Sequence, residues 1–266
     1  LDENPVFGGK LLGQLHESHA GGWWRGWEVA ARLEAEARSA GAVLRGDAGV
    51  WALEPGWRAR VADLLNRGDQ PAAYEAGAVV VATGACEKPV AVPGWTLPGV
   101  MTVGAAQVLT NVHRVRPGRR ALVVGIDPLA LTVARQLALA GVEVVGVVLP
   151  PPLGLNADSG SVRATLARLG SLASLAPTPW LRMAAAALES GLVRELAARV
   201  GPPGGVRVWG VPVHHRTALL EVQGDGRVER VVLAPVGADG EPVTSRRREV
   251  QVDAVCLSGG LMPLAE

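Results

Sequence analysis

The chain has 266 residues, 48% of them apolar, and 26 Lys and Arg against 25 Asp and Glu leave a formal net charge of +1. That length buries the core of one large or two smaller domains, and the near-neutral balance excludes a strong electrostatic preference for nucleic acid or acidic lipid. Arg135, Gln136 and Glu143 interrupt the best apolar run, so no membrane span is read, and no leader of charged, then apolar, then small residues is found.

Asp2 and Glu3, then Phe7-Gly8-Gly9-Lys10-Leu11, place acids ahead of a glycine pair. The pattern suits either a plain turn or the tip of a nucleotide-binding strand, where an acid accepts hydrogen bonds from a ribose and glycines let backbone pass close to a ligand. A chain opening on Leu1 rather than Met, directly at such a strand end, is expected to be a piece of a longer protein. Trp23, Trp24 and Trp27 are spaced to share a helical face, either as a packed core cluster or as a surface turned to a ligand or partner. His16 and His19 lack the spacing of a helical zinc pair. Periodicity predicts a helix from Trp27 to Ala40 closed by Gly41, a strand from Ala42 to Arg45, and a hairpin of Val50 to Leu53 and Arg58 to Ala62 about Pro55-Gly56. The run Val79-Val80-Val81-Ala82-Thr83-Gly84-Ala85 predicts a buried strand whose Thr-Gly tip lets backbone lie close beneath a nucleotide.

The stretch from Arg119 to Pro151 reads as one strand–helix–strand crossover. Ala121 to Val124 is an apolar run, Pro128 to Ala140 carries Leu129, Val133 and Leu137 at helical spacing, and Val142 to Leu149 is a second apolar run. Its turn holds Gly125, Asp127 and Ala130 where the dinucleotide fingerprint G-x-G-x-x-G/A requires Gly, Gly and Gly or Ala. Gly125 and Ala130 fit. Asp127 adds a side chain and a negative charge where a phosphate would rest, and it equally suits a helix N-cap ahead of Pro128 at the first helical position. The second strand ends in Leu149 and Pro150, with no carboxylate for a ribose.

A helix and loop are expected from Leu155 to Pro179, then a helix from Met183 to Val200 with Leu188, Leu192 and Leu196 at spacing four, stopped by Gly201-Pro202-Pro203-Gly204. Val206 to Trp209 reads as a strand. His214 to Val222, Val228 to Val236 and Arg247 to Val252 read as a three-stranded antiparallel meander. Adjacent His214 and His215 point to opposite faces and are expected to be solvated, and Arg246-Arg247-Arg248 is expected on a solvated edge. Asp253 to Gly260 is a last buried strand with glycines at its tip. Cys86 and Cys256 are too far apart in sequence for the short dithiol spacing of a disulfide reductase, and they read as free structural thiols of a cytoplasmic protein.

The segments VVVATGACEKPVAVPGW, TLPGVMTVGAAQVL and RPGRRALVVG together resemble the two-dinucleotide-domain flavoproteins. More narrowly, they resemble the large (alpha or A) subunits of heteromeric amine and imino-acid oxidising enzymes: opine oxidase, hydrogen cyanide synthase, dye-linked proline dehydrogenase and sarcosine oxidase. The resemblance implies an α/β fold of two Rossmann-like dinucleotide-binding domains with antiparallel meanders, lacking its first strand and first glycine turn. It places residues 1–103 in an FAD-binding domain, 104–250 in an inserted NAD(P)-binding-like domain, and 251–266 in a return strand to the first. It implies Asp2 or Glu3 on the FAD ribose, Gly8 and Gly9 near the flavin, Val50 on adenine, Thr83 and Gly84 closing over the dinucleotide, and Gly125 and Ala130 at the second nucleotide turn. Asp127 and Leu149 depart from the NAD pattern and put NAD(P), or another adenine nucleotide there, in doubt. No catalytic residue and no metal site is assigned.

Partners implied are a small iron–sulfur subunit, besides a catalytic flavoprotein subunit. Three functions follow as expectations: an FAD-dependent oxidoreductase subunit serving oxidation of an amine, imino acid or opine; a self-contained NAD(P)H-dependent flavoprotein reductase; and a nucleotide-binding scaffold without redox turnover.

Overall fold

The computed structural model describes residues 1–17, 22–65, 68, 72–152, 161–176, 178–200, 205–237 and 239–264. His19, residues 155–160 and the helix stop at 201–204 lie outside them. The chain divides into two compact units, Leu1–Cys86 with Pro263–Glu266, and Glu87–Met262. Those boundaries differ from the expected breaks after residues 103 and 250, because the segments around them are hydrogen-bonded into the second unit's sheet.

The first unit opens on a 3-10 turn, Gly9–Gly13, and a strand pair, β1 (Leu15–Glu17) and β2 (Trp23–Arg25). Helix α1 (Gly26–Ser39) follows, closed by Gly41 at φ +87°, a left-handed conformation that glycine adopts without strain. Its outer face carries the pairs Arg32–Glu36 and Arg38–Glu34, and only Gly26 and Ala30 of the helix are buried. Strands β3 (Ala48–Glu54), β4 (Arg58–Asp63) and β5 (Ala73–Glu75) form an antiparallel sheet, with Glu54 opposite Arg58 across the Pro55-Gly56 turn. A bulge between Val50 and Ala52 interrupts the alternation of β3. Strand β6 (Ala85–Glu87) leads out of this unit.

Three expectations fail here. Trp23 and Trp24 lie on extended β2 at 40% and 36% exposure, so they share no helical face with Trp27 and form no core cluster; the helix begins only at Gly26. Ala42 to Arg45 forms no strand, since the bond from the Asp2 N–H to the Arg45 carbonyl is not continued into a ladder. Val79 to Gly84 is likewise not a strand, and Val80 is 89% exposed. A β-branched run becomes a buried strand only when neighbours pair with both its edges, and no described strand does so.

In the second unit come β7 (Val100–Thr102), α2 (Val103–Asn111), β8 (Arg120–Val124), α3 (Pro128–Leu139) and β9 (Glu143–Leu149). Helices α4 (Val162–Ser171), α5 (Pro179–Ala187) and α6 (Gly191–Arg199) follow. Then come β10 (Val206–Val208), β11 (Val211–Gln223), β12 (Arg230–Pro235), β13 (Arg248–Gln251), β14 (Ala254–Leu257) and the exit strand β15 (Leu261–Pro263). The sheet runs β13-β12-β11-β9-β8-β14-β7, with β10 paired to β11. Strands β7, β14, β8, β9 and β11 are parallel, and β11-β12-β13 is the expected meander.

Both faces of this sheet are covered, which is why β8 reads as an unbroken apolar run. Ala121 and Val123 join Val133 and Leu137 of α3 in one core layer, while Leu122 and Val124 join Leu219, Val231 and Leu233 in the other. A buried polar tie fixes α2 against α3: the Gln136 side-chain oxygen accepts from Gln107 at 3.1 Å and Asn111 at 2.9 Å.

The single helix expected from Met183 to Val200 is two helices, broken around Leu188 to Ser190. Leu192 and Leu196 are 82% and 63% exposed, so their spacing marks an outer face rather than a core stripe. His214 and His215 are half-buried rather than solvated. The three arginines from 246 to 248 are exposed, with Arg248 on edge strand β13.

Candidate functional site

In an open parallel sheet, ligands sit beyond the C-terminal ends of the strands, where the strand order reverses. Here the chain runs from β8 through α3 to β9 on one side, while β14 lies on the other, so the reversal falls between β8 and β14, with Val124 opposite Leu257. Just past those ends stand Gly125, Ile126 and Asp127 on one strand and Ser258 on its neighbour.

Asp127 caps α3. One carboxylate oxygen accepts from the Ala130 N–H at 2.9 Å, and the other accepts from the Ser258 hydroxyl at 2.6 Å. Pro128, without an N–H to satisfy, occupies the first helical position. Gly125 sits at φ +104°, and a Cβ there would come within 2.4 Å of the Ser258 carbonyl oxygen. Its glycine therefore serves the contact with β14, and Ala130, 0% exposed, serves the core.

The neighbouring helix end is arranged alike. Glu87 accepts from the Gly104 N–H at 2.9 Å and from the Thr102 hydroxyl at 2.5 Å, and Thr102 in turn caps Ala105. Cys256, fully buried on β14, has its thiol pushed up to about 12 by burial and, after that, by the Glu87 charge.

A nicotinamide dinucleotide does not fit this turn. The fingerprint's middle position carries a carboxylate, the helix N–H it would offer is satisfied internally, and a side-chain hydrogen bond crosses the reversal point.

In the first unit, Asp2 Oδ1 accepts from the Asn4 backbone and side-chain nitrogens at 2.9 and 3.1 Å, and its backbone pairs with Arg45 and Ala48. Glu3 is exposed. Gly8 has φ +124°, and a Cβ on it would lie 2.7 Å from that of Ala30, so this glycine is needed for the approach to α1; Gly9, at φ +49°, meets nothing within 4 Å. Val50 is 50% exposed on β3. The Thr83 hydroxyl donates to the Leu264 carbonyl, and Leu264 N–H returns a bond to Gly84, whose φ is +81°. Glu3, Gly9, Val50, Thr83 and Gly84 are thus exposed, whereas Asp2 is bonded within its own turn and Gly8 is packed against α1. The start of α1 offers no phosphate cradle, since a Cβ on Gly26 would lie 1.8 Å from the Leu11 carbonyl oxygen.

Elsewhere, burial lowers the pKa of His214, with the Arg248, His215 and Arg207 charges adding to it, and lowers that of His215. Among the described residues no group of His, Cys, Asp and Glu is placed to hold a metal, and no helix is long and apolar enough to cross a membrane. Sequence reasoning missed Ser258 and Glu87. The only signal for Ser258 was its position after an apolar run, matching Gly125 after β8; nothing local marked Glu87 as a helix cap.

No family model matches the chain. It is 29% identical over 200 residues to the HcnB subunit of hydrogen cyanide synthase from Pseudomonas aeruginosa, covering 75% of this chain and 38% of that one. It is 37% identical over 153 residues to a subunit of opine oxidase from Agrobacterium tumefaciens, covering 53% and 30%. Against the alpha subunit of sarcosine oxidase from Rhizobium meliloti it is 29% identical over 178 residues, covering 65% and 15%. The chain thus spans well under half the length of these curated relatives.

Among solved structures, L-proline dehydrogenase from P. horikoshii superposes with a TM-score of 0.56 at 18% identity, over 98% of this chain and 37% of that one. Thioredoxin reductase from T. acidophilum gives 0.55 at 17%, over 99% and 68%. By sequence this chain is similar to subunits of hydrogen cyanide synthase, opine oxidase and sarcosine oxidase, and it shares its fold with the L-proline dehydrogenase and thioredoxin reductase structures.

Proposed function

We propose that the chain is part of an FAD-dependent oxidoreductase subunit that serves oxidation of an amine, an imino acid or an opine in the cytoplasm, together with a catalytic flavoprotein partner and a small iron–sulfur subunit. The observation that carries this reading is the similarity to relatives that are all named as subunits of such oxidases or synthases. Bound FAD would supply the electron transfer; the protein's part is binding and orientation. Glu3 would accept the ribose hydroxyls, Val50 would lie against adenine, Thr83 and Gly84 would bring backbone close to the dinucleotide, and Gly9 would let the chain pass near the flavin. In this reading the second unit is the inserted nucleotide-fold domain. The bond from Ser258 to Asp127 weighs against a self-contained NAD(P)H-dependent reductase, which needs that crevice open.

The test is to purify the natural protein containing this chain with whatever subunits accompany it, quantify released flavin, and assay dye reduction with sarcosine, L-proline and opines. Bound FAD with turnover of at least one of these supports the proposal. A stable complex without flavin would favour the scaffold reading, and flavin reduction driven by NADPH alone would favour the reductase.

A further inference from the structure

We infer that the second nucleotide fold is held shut by carboxylates of this chain, with Asp127 and Glu87 standing where a ligand's phosphates would otherwise satisfy the helix ends. The helices α2 and α3 follow strands β7 and β8, which flank β14, so both N-termini open at the C-terminal edge of the sheet. Each terminus carries a partial positive charge of about half a unit and N–H groups without intrahelical partners, the two features that make such ends bind phosphate. In this protein a carboxylate of the chain takes an N–H at each end. Asp127 takes the Ala130 N–H on α3, and Glu87 takes the Gly104 N–H on α2. Two carboxylates against two half-charges leave a local balance of about −1, so an incoming diphosphate meets repulsion where the fold ordinarily attracts it.

Sterics reinforce the charge. Asp127 is bonded across the reversal point to Ser258, which is 2% exposed, and Gly125 lies so close to Ser258 that a single Cβ would come within 2.4 Å of its carbonyl oxygen. Gly104 is filled in the same way, since a Cβ there would come within 2.4 Å of the Glu87 carboxylate. The glycines of this region therefore make room for the chain's own groups. The unit keeps the crossover as a support while its ligand site is replaced by an internal clasp. This inference concerns the second unit alone and stands or falls independently of the FAD reading.

The experiment is an NADH fluorescence titration, into the millimolar range, of the parent chain and of Asp127→Asn, Ser258→Ala and the double variant Asp127→Asn with Glu87→Gln, each checked for folding by its thermal midpoint. The Asn and Gln amides keep an oxygen acceptor for the helix N–H groups while removing the charge, so these variants test the electrostatics without deleting the caps. The parent is expected not to saturate. Asp127→Asn should tighten binding roughly tenfold or more, the double variant further, and Ser258→Ala should by itself give a smaller gain. Micromolar NADH binding by the parent would overturn the inference. Folded charge-neutral variants that bind no better than the parent would overturn it equally, because the carboxylates would then not be what closes the site.

Discussion

Asp127 could be read either as a spoiled fingerprint or as a helix cap, and the structure makes it a cap with a second partner. The cap was legible because Asp before Pro at a helix start is a local pattern. Ser258, its partner 131 positions away, was not, because a long-range hydrogen bond leaves no periodicity. Cys256 was legible as an inert thiol from its apolar surroundings, and its burial makes that testable. At pH 8, a thiol pushed up to about 12 is almost wholly protonated and also inaccessible, so only Cys86 should react with a maleimide in the native protein, and Cys256 should follow only on denaturation. Modification of Cys256 in the folded state would contradict its placement. His214 and His215, read as solvated from the sequence, titrate in the opposite sense to a stabilising ion pair. Burial lowers their folded pKa below 6.5, so the unfolded chain binds more protons at mildly acid pH. Their contribution is whole above pH 6.5 and is lost as pH falls below it toward the folded values. The thermal midpoint should therefore fall from pH 7 to pH 5.5, and a double replacement by Gln should flatten that slope; an unchanged slope would contradict it.

At the level of elements, β8, α3, β9, β11, β12 and β14 followed from apolar runs and breakers, because each is buried on faces its own periodicity displays. The failures have one cause. Val79 to Gly84 and the tryptophans of β2 carry apolar or β-branched residues whose burial depends on neighbours, and no local pattern encodes who the neighbour is. Leu192 and Leu196 misled for the converse reason, since their spacing suits a helix face whether or not anything packs on it, and of the three spaced leucines only Leu188 packs against the core. The buried tie of Gln136 to Gln107 and Asn111 gives α2 and α3 a fixed register. Gln136→Leu removes their shared acceptor and should cost roughly 1–3 kcal/mol in chemical denaturation, with the slope unchanged; a cost near zero would mean that the apolar packing alone sets the register. Across α4 and α6, Arg163 holds Glu195 down to about 2 through a two-pronged contact with oxygens 2.8 and 2.9 Å away. This exposed pair contributes only above the ordinary carboxylate range, and what it contributes is lost between about pH 4.5 and about 2. Glu195→Gln should accordingly lower the midpoint slightly at pH 7 and not at pH 2.

For the whole molecule, the two units differ in what they bury. The second has core layers on both faces of its sheet. The first buries Ala30, Ala48, Ala59 and Val61, while Val50, Trp51, Leu53 and Trp57 stand exposed. Residues 87–262 expressed alone should therefore unfold in one cooperative transition, whereas residues 1–86 alone should show no such transition. A cooperative, protease-resistant 1–86 fragment would show that its small core suffices. The contacts proposed for Val50 and Gly84 with a dinucleotide require both to stay uncovered, and both are exposed. The chain by itself should purify with much less than one FAD per molecule, since the start of its first helix is packed against its own backbone and offers the diphosphate nothing.

The proposal that electrons reach the flavin of the whole complex from an amine-type substrate and not from a nicotinamide is tested most directly by anaerobic reduction of the natural complex. The visible flavin absorbance should bleach on addition of an amine, imino acid or opine and stay unchanged with NADH or NADPH. Bleaching by a nicotinamide alone would contradict it.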